Sequence, residues 1–140
     1  MVQFIAGDKG EGKTKVLIER ANQQLKVTDG NLVFIDDDRR TTSDLHYNIR
    51  FVEAGKRTLS NYREFIGFVM GILAMDSDTK TVYIDGLTNI IAKLEDEDLV
   101  KLSKRLVKLS ESNDVEFVVC INWKVEELPA EVKSMLVSNS

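Results

Sequence analysis

The sequence holds one cysteine, one histidine, one proline and one tryptophan in 140 residues. A lone thiol, Cys120, forms no intramolecular disulfide and no multi-cysteine zinc site. With only His46 beside it, an all-His/Cys metal centre is excluded. Long apolar runs are missing too, so no stretch reads as a membrane span. The start, Met1-Val2-Gln3-Phe4-Ile5-Ala6-Gly7, lacks the basic lead and long apolar segment of a secretion signal, and the expectation is a cytoplasmic protein. No Gly/Ser-rich linker, repeat or low-complexity tract interrupts the chain. Positive charge is not in excess: 19 Lys and Arg stand against 23 Asp and Glu, a net charge of −4, which disfavours nucleic acid held by bulk charge. What is present suits a folded domain, with 43% hydrophobic and 30% charged residues. A single domain over residues 1–140 is expected, long enough to bury a core without staples.

The apolar pattern switches between two periods. Val2–Ala6, Leu32–Ile35, Thr81–Ile84 and Val115–Ile121 read as four short buried strands, and Asn48–Glu53 as a candidate fifth. Between them, Lys13–Leu25 reads as a helix with Leu17, Ile18, Ala21 and Leu25 on one face. A second helix carries Tyr62, Phe65, Ile66, Val69 and Leu73, with Ser60 as its candidate cap. A third opens at Glu95-Asp96-Glu97-Asp98 and carries Lys101, Lys104, Arg105 and Lys108 further on, an order that suits the helix dipole. Pro129 fits the first turn of a last helix with Val132, Met135 and Leu136 inward. Strands that alternate with helices, and that are continuously apolar, predict an α/β fold of three layers, a mostly parallel sheet covered on both faces. Ligands of such sheets bind at the carboxyl ends of the strands. Gly7, Asp36–Asp38, Asp85 and Asn122 stand at those ends.

The segment Gly7-Asp8-Lys9-Gly10-Glu11-Gly12-Lys13-Thr14 matches G-x-x-x-x-G-K-[ST]. Glycines let the backbone wrap until several N–H groups face one phosphate. Lys13 would carry positive charge to the β- and γ-phosphates, and the Thr14 hydroxyl would ligate Mg²⁺. The helix that follows adds the positive end of its dipole. A buried strand before the segment and an amphipathic helix after it supply the required context. Asp8 and Glu11 place two acids in a loop that binds an anion, which favours outward side chains. Val82-Tyr83-Ile84-Asp85 is an apolar strand ending in Asp, the pattern of a carboxylate that holds Mg²⁺ through its water shell. In Phe34-Ile35-Asp36-Asp37-Asp38 one carboxylate is a candidate for orienting the attacking water. Asn122, at the tip of a strand, is a candidate sensor of the γ-phosphate.

In this order of motifs the sequence resembles the RecA-like branch of P-loop ATPases. The resemblance implies a core strand order 1-4-3-2, numbering the four predicted strands, with the first strand at or near an edge. It also implies Asp38 in the place of the catalytic Glu, and Asn122-Trp123 in the place of a pair of polar sensors. Within that branch the chain looks most like small single-domain bacterial P-loop proteins, predicted ATPases that sometimes carry a PilT-like label. The features alike are Gly10-x-Gly12-Lys13-Thr14-Lys15, Tyr83-Ile84-Asp85-Gly86 and Glu126-Glu127-Leu128-Pro129. Lys9 stands one place late for a ParA/MinD-type second lysine, no N-K-x-D motif reads a guanine, and the cysteine set of thymidine kinases is absent.

The expectation is therefore an ATP- and Mg²⁺-using protein, a slow ATPase that acts as a switch for a protein partner or for self-association through a sheet edge. Lys13 and Asp38 would be catalytic. Gly7, Asp8, Lys9, Gly10, Glu11, Gly12, Lys13 and Thr14 would bind the nucleotide, and Thr14 and Asp85 the metal. Two alternatives stay open: a nucleotide-binding module without turnover, and a small-molecule kinase with a lid built on Arg39, Arg40, Arg50 and Arg57. Arg39 or Arg40 is also a candidate arginine finger.

Overall fold

The structure is a computed structural model that describes residues 1–10 and 12–137. Its elements in chain order are β1 (Val2–Gly7), α1 (Lys13–Leu25), β2 (Asn31–Asp36), β3 (Arg50–Glu53), α2 (Tyr62–Met75), β4 (Thr79–Ile84), α3 (Leu87–Ile90), α4 (Asp96–Asn113), β5 (Glu116–Asn122) and α5 (Ala130–Lys133). Five strands form one sheet in the order β1-β5-β4-β2-β3, and every pairing is parallel. The four strands expected from the sequence thus keep their expected order. The sheet differs in one detail: Arg50–Glu53 joins as a fifth strand on the far edge.

Alternation along the strands sorts side chains between the faces. Phe4, Val33, Ile35, Val82, Ile84, Phe117 and Val119 pack with Phe65, Ile66 and Val69 of α2, Leu99, Leu102 and Leu106 of α4, and Val132 of α5. Ile5, Leu32, Phe34, Tyr83, Val118 and Cys120 pack with Leu17, Ile18 and Ala21 of α1. One face is thus covered by two long helices and the short α3 and α5, the other by α1. Phe4, Phe65 and Phe117 are fully buried. Each contributes about 2–3 kcal/mol through removal of its ring from water.

Two local expectations need correction. The cap of α2 is Asn61, not Ser60: Glu64 N–H donates to Asn61 Oδ1 (3.1 Å). Ser60 contributes its backbone N–H to Glu64 Oε1 (2.8 Å). The amide side chain leaves a hydroxyl with nothing to cap. The last helix stops at Lys133, so Met135 and Leu136 are not helical. Met135 closes a turn and Leu136 bridges to β1, both still packed inward: Phe4 N–H donates to Met135 O and Val137 N–H to Phe4 O, both at 2.9 Å. An edge strand offers unpaired N–H and C=O groups, and this pairing satisfies both of those on Phe4. The β3 edge is guarded differently. Arg39 reaches Glu53 (3.8 Å) and lies 5.3 Å from the Phe51 ring centroid. Among the described residues no helix is long and apolar enough to cross a membrane.

Candidate functional site

The carboxyl ends of β1, β2, β4 and β5 surround a cleft of about 900 Å³. Its walls include Lys9, Gly10, Gly12, Lys13, Thr14, Asp36, Asp37, Asp38, Arg40, Asp85, Gly86, Asn89 and Asn122. The loop between β1 and α1 bends through positive φ at Gly10 (91°) and Gly12 (78°), the region where a side chain would strain the backbone. Gly12 caps α1 in that conformation, so the helix points its first turn into the cleft. Lys13 is only 5% exposed. Its Nζ donates to the carbonyl oxygen of Asp8 (2.5 Å), which folds the side chain back over the loop. A buried ammonium that lines a cleft has the chemistry to receive an anion.

Thr14, the next residue, hydrogen-bonds through its side chain to the Asp85 carboxylate. This contact joins the glycine loop after β1 to the end of β4. Burial raises the Asp85 carboxyl above its ordinary range, while the Thr14 hydroxyl, the Gly86 N–H (2.9 Å) and the charge of Lys13 oppose that rise. A hydroxyl beside a partly buried carboxylate is an oxygen donor set for a hard divalent cation. The residues present fit Mg²⁺.

Gly86 follows at φ +69°. A Cβ there would stand 2.6 Å from Asp37 Oδ1 and 2.8 Å from Asp36 Oδ1. Only glycine lets the ends of β4 and β2 meet, which is the physical reason no acid follows Asp85. Asp36 and Asp37 are buried, at 5% and 3% exposure. Asp36 accepts from the Asp37 N–H (2.7 Å) and the Thr41 hydroxyl (3.3 Å). Burial pushes its pKa up to about 8, and hydrogen bonding to Asp37 and the charge of Asp85 add to the shift. Asp37 accepts from Asn89 Nδ2 (3.3 Å). Asp38 is the opposite case. Arg40 donates to it from Nε and from the backbone N–H (both 3.0 Å), Lys56 lies 3.9 Å away, and these hold its carboxyl below the ordinary range.

The expected residues therefore divide. Lys9, Gly10, Gly12, Lys13, Thr14, Asp38, Asp85 and Asn122 share the cleft. Gly7 ends β1 and accepts from the Trp123 N–H (3.1 Å). Asp8 is exposed and supplies the carbonyl held by Lys13. Glu11 lies outside the described residues. Of the four arginines considered for a lid, Arg40 alone lines the cleft. Arg39 sits on the β3 edge and Arg50 reaches Asp76 (3.8 Å). Trp123 packs on the core beneath α2 and α4. Cys120 is buried, and burial raises its thiol. His46 is exposed and stacks on Tyr47 (4.4 Å between centroids). Sequence reasoning missed Thr41 and Asn89, whose only signal is their nearness in the chain to the ends of β2 and β4.

Strand order and the loop–helix site after β1 define a RecA-like α/β fold. No protein-family model matches the sequence, and no curated protein does. Among solved structures the chain is similar to the flagellar accessory protein FlaH from Methanocaldococcus jannaschii, with a TM-score of 0.54 and 13% sequence identity. The match covers 95% of this chain, which spans 65% of that one. At that identity the likeness concerns the fold.

Proposed function

We propose that this protein binds Mg-ATP in the cleft and hydrolyses it slowly, as a switch whose two states differ in their contacts with a protein partner. The observation that carries this is the Thr14–Asp85 hydrogen bond beside the buried Lys13. Two segments far apart in sequence, Lys13-Thr14 after β1 and Asp85 after β4, converge where a triphosphate and its metal would sit.

Loop N–H groups and Lys13 would bind the β- and γ-phosphates, and positive charge at Lys13 would grow in value as charge develops on the departing phosphate. Thr14 and Asp85 would hold Mg²⁺, which supplies charge neutralisation across the phosphates. Asp38 would orient the attacking water. An orienting carboxylate must be ionised near neutral pH, and Arg40 and Lys56 keep Asp38 so, whereas Asp36 next to it is driven towards the protonated form. Arg40 is the arginine within reach of the transferring group. Asn122 would sense the γ-phosphate from the end of β5.

The test is phosphate release from Mg-ATP by the wild type and Lys13→Ala, purified side by side. Turnover that falls at least about 100-fold in the variant is expected. Equal rates in both would refute the mechanism. Nucleotide binding that depends on Lys13 without any turnover would leave the binding module and remove the hydrolase.

A further inference from the structure

The outer surface formed by α2 and α4 lies away from the cleft and has a composition that solvation does not explain. From Phe65 to Met75 the sequence of α2 has no charged residue. Phe65, Ile66, Val69 and Leu73 account for the buried side. The outward side is Gly67, Met70, Gly71, Ala74 and Met75, with Met70 48% and Met75 83% exposed. A surface helix ordinarily turns charged residues outward. A Cβ on Gly67 or Gly71 would stand in open space, so the strip presents bare backbone between Met70 and Met75.

The helix packed beside it is charged in an equally unusual way. Lys101, Lys104, Arg105 and Lys108 follow one another at helical spacing on α4, and all are exposed. Among the described residues none of them has a carboxylate partner within ion-pair distance. Like charges four residues apart, Lys101 with Arg105 and Lys104 with Lys108, weaken a helix. In a chain of net charge −4, these four cations form a local basic stripe.

We infer that the α2–α4 surface docks an acidic amphipathic helix of a partner protein. Its apolar side chains would lie over the bare backbone at Gly67 and Gly71, Met70 and Met75 would adapt around them, and its carboxylates would pair with the α4 cations. Charge complementarity selects an acidic partner. The charge pattern selects a helix over an anionic membrane: the exposed acids Glu97 and Glu111 bracket the basic stripe, where a continuous anionic surface would meet them. This inference is independent of nucleotide chemistry.

The probe is a fluorescein-labelled synthetic helix of about 18 residues with leucines along one face and glutamates elsewhere, long enough to span α4. A second peptide has the same composition with the leucines scattered. Binding is read by fluorescence anisotropy for the full-length wild type, for Met70→Glu, and for the triple change Lys101→Glu, Lys104→Glu, Lys108→Glu. Circular dichroism melts check that the variants fold; all four substituted side chains are exposed. The amphipathic peptide should bind at least about tenfold tighter than the scattered one, and each variant should weaken it at least about tenfold. Equal affinity for the two peptides, no binding of either, or insensitivity to both variants overturns the inference. So does binding confined to phosphatidylserine–phosphatidylcholine vesicles.

Discussion

The ends of β4 and β2 lie side by side in the sheet, and both finish in aspartate. At β4 a single carboxylate, Asp85, is tied by Thr14 to the phosphate loop. At β2 three carboxylates follow in a row and meet three different fates: Asp36 buried and raised, Asp37 buried against Asn89, Asp38 half-exposed and held low by Arg40. One residue type therefore serves four electrostatic purposes within a few ångströms. What separates them is the supply of donors. Asp38 is held charged by the guanidinium beside it, whereas burial and neighbouring acids outweigh the Thr41 hydroxyl at Asp36.

The largest way to break this arrangement is at the glycine between the two ends. Gly86→Ala would force a side chain into positive φ and against Asp36 and Asp37. A loss of about 2–4 kcal/mol in unfolding free energy is expected. Urea denaturation measures it, and a change below about 0.5 kcal/mol, the scale of an unremarkable surface substitution, would show that the ends can part freely.

Asp85→Asn sharpens the contrast on the β4 side. It keeps a partner for Thr14 and removes the charge, so the Mg²⁺ concentration needed for half-maximal nucleotide binding should rise by about 10- to 100-fold. A titration of Mg²⁺ at fixed ATP reads this directly. The same substitution at Asp38 should leave that midpoint in place and lower turnover alone.

The smallest effect belongs to Asp36. An aspartate in the unfolded chain releases its proton near about pH 4, whereas in the folded protein Asp36 does so near about 8. Between those values the folded state holds the extra proton, so this group's contribution to stability falls as pH rises through the window. Asp36→Asn imitates the protonated acid. Its melting temperature relative to wild type should therefore climb between about pH 5 and 8, with no such gain below about pH 4. A constant offset across those pH values would place the proton elsewhere.

Much of this was legible in the sequence. The glycine loop is contiguous, and an eight-residue motif with four fixed positions leaves little freedom. The strand order was implied by the family resemblance that the motifs carry. Contacts between segments were not legible: no local pattern announces Thr14 touching Asp85, or Gly86 accommodating Asp36. Neighbours in the chain also diverge without warning, as Arg39 does to the sheet edge and Arg40 to the cleft. Met135 and Leu136 were misjudged because two adjacent apolar residues suit a helix face or a strand equally, and the open side of β1 decided between them.

That side of β1 has a consequence for synthesis. Val2 pairs with Phe117, and Phe4 with the Met135–Val137 segment, so the first strand of this sheet to be made waits for the last. The glycine loop that β1 launches has no wall on its β5 flank until then. A nascent chain shows this turn early and closes it late, when the most sequence-distant contacts form. Of the loops at this end of the sheet, the one made first is completed last.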